Sequence, residues 1–194
     1  MARRTGVDID IDTDGLRGLS VLKPRDAKRV VAKGLTDTAR TGRTKAARHI
    51  GRQYSIKSTV ARRQISYRRA RRDDLQAQIR AFGRQLDLIE SAKSIRQTKR
   101  GVSAHAFGER RLFRGTFLAT MSSGHRGIFK RADASSGGRV GRLPIRELRG
   151  LSVPKALASD SVYVPLQEEL VADASKKVQR QLDRELRKQA GKNR

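Results

Sequence analysis

The spacing of apolar side chains changes period repeatedly along this chain, and each change predicts an element. Val7, Ile9 and Ile11 alternate with Asp8, Asp10 and Asp12, which puts the two sets on opposite faces of a strand. From Pro24 the period lengthens: Ala27, Val30, Val31, Gly34, Leu35 and Thr38 recur every three or four residues, and Ala39, Ala46, Ala47 and Ile50 extend the stripe. This predicts a helix from Pro24 to about residue 50, weakened midway by Gly42. Pro24 suits the first turn, where a missing N–H costs nothing. Leu75, Ala77, Ile79 and Ala81 return to strand spacing, and Leu86, Leu88 and Ile89 continue it beyond a bend at Gly83. Polar residues 91–100 predict a loop, Val102 to Phe107 a strand, and Glu109-Arg110-Arg111 a turn.

Gly115 to Pro154 is the stretch most clearly written for one backbone path. Thr116 to Met121 predicts a buried strand, Ser122-Ser123-Gly124 a turn, and Arg126 to Arg131 the return strand of a hairpin. A loop at Ala134 to Gly138 precedes a third extended piece at Pro144-Ile145, which the missing N–H of Pro144 confines to a sheet edge or a loop end. This small sheet is expected to be the fold's centre, with four to six mostly antiparallel strands in all. Val162-Tyr163-Val164 predicts a brief extended piece ended by Pro165. Leu166, Leu170, Ala174, Val178, Leu182 and Leu186 then predict a helix. Their uniform spacing of four advances each residue about 40° past the last, so the stripe wraps round the helix. Its first half can pack on the domain, and its second half is expected to meet either a neighbouring subunit or solvent.

The expected fold is α+β: a long N-terminal helix and a C-terminal helix packed on a small, mostly antiparallel sheet. The expected divisions are an arm at 1–22, a core domain at 23–165 and a C-terminal amphipathic helix at 166–194. Within the core, 23–72 reads as a basic helical part and 73–165 as the sheet part.

Phe117-Leu118-Ala119-Thr120-Met121, Ser123-Gly124-His125-Arg126-Gly127-Ile128-Phe129-Lys130-Arg131, Leu143-Pro144-Ile145-Arg146-Glu147-Leu148 and Gly150-Leu151-Ser152-Val153-Pro154 carry a resemblance. In order and content they resemble the bacteriophage minor tail protein Z (tail completion) family. Leu151 stands where that family commonly has proline. The motif covers roughly a fifth of the chain, and the basic helical half and C-terminal helix match more loosely. The resemblance gives Phe117, Gly124, Gly127, Phe129, Arg131, Pro144, Ile145, Gly150 and Pro154 structural roles. It implies a virion protein completing the tail near the head–tail junction, assembled in the host cytoplasm, joining other tail and neck proteins and itself in a ring.

Charge changes the picture most. The chain has 194 residues and a net charge of +26, from 45 Lys and Arg against 19 Asp and Glu. Self-repulsion on that scale favours a polyanionic or acidic protein partner. Aromatic residues are 4% of the chain and Trp is absent, so the core is expected to be thin and aliphatic. From Thr38 to Arg72 no acid interrupts Arg40, Arg43, Lys45, Arg48, Arg52, Lys57, Arg62, Arg63, Arg68, Arg69, Arg71 and Arg72. A solvated charged face usually mixes signs, so phosphate contact is the favoured reading. Tyr54 and Tyr67 are too few for base stacking, which makes the expected contact backbone-directed and sequence-neutral. The alternative function is a free-standing, sequence-neutral nucleic-acid-binding protein associated with nucleoid or ribosome.

Other chemistry is not expected. Asp10, Asp12, Asp14 and Gly15 match the first positions of a calcium loop, but Val21 stands where the bidentate Glu belongs and Arg17 where an apolar residue belongs. An acidic strand face, solvated or docked on a basic neighbour, is the better reading. Glycines and a Gly-Arg-Thr-Lys run between Gly34 and Lys45 lack the spacing of a phosphate-binding loop. His49, His105 and His125 are scattered without metal-ligand spacing, and Ser122 and Ser123 lack a nucleophile elbow. No cysteine is present, and no apolar run is long enough to span a membrane. A soluble, non-enzymatic protein without cofactor or metal is expected.

Overall fold

The computed structural model describes residues 5–9, 19–131 and 144–192 and has the expected α+β class. A 3-10 turn at Leu19–Val21 leads into α1, Pro24–Tyr54, which begins with Pro24 in its first turn. It ends where Ser55 turns left-handed at φ 63°. The C-terminal helix α5, Asp160–Lys192, packs antiparallel along α1. Gly34, Thr38, Gly42, Ala46 and Ile50 are buried at steps of four on α1, and Leu166, Leu170, Ala174, Val178 and Leu182 at steps of four on α5. Rows of spacing four are natural packing ridges, so two such rows can follow one another along the pair. The expectation that the second half of the C-terminal helix lacks a partner in the chain is therefore corrected, since Val178 and Leu182 are fully buried.

Beneath the helices lies an antiparallel sheet of β1 (Thr5–Ile9), β2 (Ile65–Arg68) and β3 (Ala77–Ala81), in the order β1-β3-β2. Ala77, Ile79 and Ala81 point inward at alternating positions, and Val7 and Tyr67 flank Ile79 in register. Helix α2 (Ser58–Arg63) and helix α4 (Val153–Leu157) close the same aliphatic core.

The remaining strands enclose a second, smaller core, although Leu86 and Leu151 pack into the first. The strands are β4 (Gln85–Asp87), β5 (Lys93–Thr98), β6 (Gly101–Ala106), β7 (Glu109–Arg114), β8 (Thr116–Thr120), β9 (Arg126–Arg131), β10 (Ile145–Glu147) and β11 (Arg149–Ser152). They form the sheets β5-β6-β7, β10-β9-β8 and β11-β4. Val102, Ala104 and Ala106 of β6 meet Ile128 of β9 and Leu88 of the short helix α3 (Leu88–Ser91). The segment 147–149 laces these sheets. Glu147 pairs with Phe129, Leu148 N–H donates to the Ile128 carbonyl at 2.8 Å, Leu88 N–H donates to the Leu148 carbonyl at 2.9 Å, and Arg149 pairs with Asp87.

Several sequence expectations are corrected. The hairpin of β8 and β9 exists, but the fold centres on α1 and α5, and Phe117, Leu118 and Ala119 are only half-buried. Among the described residues there are eleven strands, more than the four to six expected. Leu88 and Ile89 are helical, because Leu88 caps the second core instead of continuing a strand. The expected loop at 91–100 contains β5, an exposed edge strand. Glu109-Arg110-Arg111 belongs to β7; the turn is made by Phe107 and Gly108, both at positive φ, as two-residue hairpins require. Ile65–Arg68 is a strand inside the expected helical part. Val162 to Val164 are helical: burial of Val162 overrides the β-branched pattern, and Pro165 is tolerated inside α5. Asp10, Ile11, Asp12, Asp14, Gly15, Arg17 and the loop Ala134 to Gly138 lie outside the described residues.

Candidate partner interface

The structure sorts the basic span into two populations. One finds its partners inside the molecule. Arg40 pairs with Asp37 at 3.3 Å, Lys45 with Asp173 at 2.5 Å and Glu169 at 2.8 Å, and Arg68 with Asp74. Arg43 donates to the Arg62 carbonyl at 2.9 Å. His49 stands 2.9 Å from Glu169. The Lys45 and His49 contacts bolt α1 to α5, because Glu169 and Asp173 of α5 supply acids that the span lacks. Burial works against the Lys45 charge, yet its hydrogen bonds to Asp173 and Glu169 outweigh burial and raise its pKa. The same bond from Lys45, with help from His49, holds Glu169 below the usual carboxylate range. Burial lowers Lys177, whose ammonium donates to the Asp37 carbonyl at 3.1 Å.

The other population points outward. Arg48, Arg52, Arg62, Arg63, Arg69, Arg71 and Arg72 are exposed and have no carboxylate partner among the described residues. Arg48 and Arg52 join Lys93 and His105 around a cavity of about 490 Å³. Ser55 and Ser94 also line it, both in left-handed backbone, and Ser55 Oγ lies 2.6 Å from His105 Nδ1. At the other end of α1, Arg71, Arg72 and Lys33 line a cavity of about 440 Å³ and Arg72, Arg25 and Lys28 one of about 460 Å³, with an acid, Asp73, lining both. From Lys28 to Arg52 the helix rises about 36 Å, which separates the two basic patches. Lys93, Arg25, Lys28 and Lys33 lie outside the acid-free span, and only the fold groups them with it.

Of the motif residues, Gly127, Phe129, Gly150 and Pro154 are buried, Phe117 and Ile145 half-buried, and Gly124, Arg131 and Pro144 exposed. Gly124 holds φ 80° in the β8–β9 turn, closed by its N–H donating to the Met121 carbonyl at 2.9 Å. A Cβ on Gly150 would lie 1.9 Å from Ser91 Oγ, so β11 can cross α3 only with glycine there. The Phe117 and Phe129 rings stand 6.2 Å apart, and the Arg131 guanidinium lies 5.7 Å from the Phe117 ring centre. His125 Nε2 is 2.7 Å from Glu147 Oε1, and that hydrogen bond raises the imidazole pKa.

An aliphatic helix pair laced to small antiparallel sheets, with charged patches on the outside, makes this an α+β protein. The chain belongs to the prophage minor tail protein Z (GPZ) family, whose model matches residues 13–193 of the 194. It is thus a phage tail structural protein, and membership implies a place in the virion beside other tail proteins. No curated protein and no solved structure matches it. No helix among the described residues is long and apolar enough to cross a membrane.

Proposed function

We propose that the protein completes the tail at the head–tail junction, where its outward arginines face passing DNA or the acidic rim of a neighbouring ring. The observation carrying this reading is the division of the basic span. Arg40, Lys45 and Arg68 find acids within the fold, whereas Arg48, Arg52, Arg62, Arg63, Arg69, Arg71 and Arg72 have none among the described residues. Unneutralised cations in a chain of net charge +26 repel one another, and a polyanion relieves that repulsion. Family membership supports a tail partner over a free-standing nucleic-acid-binding role. The role is structural and not enzymatic, with self-association in a ring and assembly in the host cytoplasm.

Gold labelling of a tagged copy in purified virions tests the position. Label at the head-proximal end of the tail is expected. Label at the distal tip or along the shaft would overturn the reading.

A further inference from the structure

One cluster of titratable side chains lies apart from the residues that line the basic cavities. The ligand atoms of Asp87, His125 and Glu147 all lie within 4.8 Å of one another. We propose that these three side chains form a site for a divalent transition-metal ion of the Zn²⁺ class. One imidazole nitrogen with two carboxylate oxygens is a donor set that suits Zn²⁺, whereas Ca²⁺ and Mg²⁺ are held by oxygens alone. Three protein ligands leave a fourth position for water or for a side chain of a neighbouring subunit.

The scaffold brings the ligands together from three separate segments. Asp87 ends β4 and pairs with Arg149, Glu147 ends β10 and pairs with Phe129, and His125 sits in the turn that precedes β9. The 147–149 segment fixes their spacing through the two backbone hydrogen bonds of Leu148. Side chains add orientation. The His125 ring stands edge-on to Phe129, centroids 6.4 Å apart, and its Nε2 is 2.7 Å from Glu147 Oε1. A Cβ on Gly127 would lie 2.4 Å from Glu147 Oε1, so the missing side chain is what gives this carboxylate its place. Asp87 occupies the cap position of α3, yet its carboxylate makes no capping hydrogen bond and stays available to a ligand. The His125 side chain is 45% exposed, which leaves a path for the ion. A bound ion would replace the imidazole proton and tie the β8–β9 turn to β4 and β10. This inference does not depend on the position of the protein in the tail.

The test is a Zn²⁺ titration of the full chain, followed by calorimetry and by the imidazole ¹⁵N resonances. One-to-one binding is expected, with only His125 shifting among His49, His105 and His125. His125→Ala should abolish binding, Asp87→Asn and Glu147→Gln should each weaken it roughly tenfold or more, and His49→Ala should leave it intact. The wild-type resonances decide the matter even where a variant fails to fold. Unshifted His125 resonances in a several-fold excess of Zn²⁺, or shifts centred on His49 or His105, would overturn the site.

Discussion

Gly34 of α1 lies so close to Val178 of α5 that a Cβ on the glycine would stand 2.5 Å from Val178 Cγ2 and 2.8 Å from Val178 Cα. A flexible side chain could move aside, but here backbone is in the way. Gly34→Ala gains up to about 1 kcal/mol of helix propensity. Overpacking costs typically 1–3 kcal/mol, and more where two backbones must part. We expect a net loss of about 1–2 kcal/mol in chemical denaturation. Unchanged or increased stability would mean that the helices separate freely at this point.

The burial of Val178 and Leu182 makes the end of α5 a structural element of the monomer. Leu182→Ala should cost about 2–5 kcal/mol. A chain ending before Val178 should lose its cooperative thermal transition, not merely its place in the tail. A truncated chain that melts as sharply as the full chain would refute this.

The sequence disclosed the elements whose burial is one-sided and regular. The three- and four-residue spacing from Ala27 to Ile50 is α1 itself, and the alternation at Ala77, Ile79 and Ala81 is β3. Strand β5 escaped notice because Lys93–Thr98 is an exposed edge with one apolar residue, Ile95. The start of α5 escaped because Val162, Val164 and Pro165 read as extended until burial of Val162 is known. The division of the basic span was also hidden. Glu169 and Asp173, which claim Lys45, come from more than a hundred residues downstream. The cluster of Asp87, His125 and Glu147 was hidden too, because spacing along the chain says nothing of segments brought together by strand pairing.

Phe129 is 5% exposed and touches both Phe117 and His125. Phe129→Ala should destabilise the chain by about 3 kcal/mol. Denaturant titration gives the value. A loss below about 1 kcal/mol, with incorporation into tails nonetheless blocked, would assign the ring to an interface between subunits.

Acid should weaken the α1–α5 contact through Glu169. Lys45 and His49 hydrogen-bond its charged form and hold its pKa below the ordinary 4.5. The unfolded chain therefore takes up this proton more readily than the folded one. The contribution is fully present above about pH 4.5 and is lost as the pH falls through the lower folded value. Wild type should melt higher than Glu169→Gln at neutral pH, with the gap narrowing once the pH drops below 4.5. A gap independent of pH would remove Glu169 from this linkage.

The last prediction separates DNA from an acidic protein partner. Arg62, Arg63, Arg71 and Arg72 are exposed, while Lys45 is committed to Asp173 and Glu169. If the outward arginines meet phosphate, affinity for two unrelated duplexes should be equal and should fall steeply with salt. Replacing those four arginines with Gln should reduce the slope of log K against log salt by about 0.9 for each phosphate contact removed. Lys45→Gln should lower the melting temperature and leave the slope alone, since its charge is already neutralised within the fold. An unchanged slope in the four-arginine variant, combined with loss of tail incorporation, would assign this surface to the acidic face of a neighbouring protein.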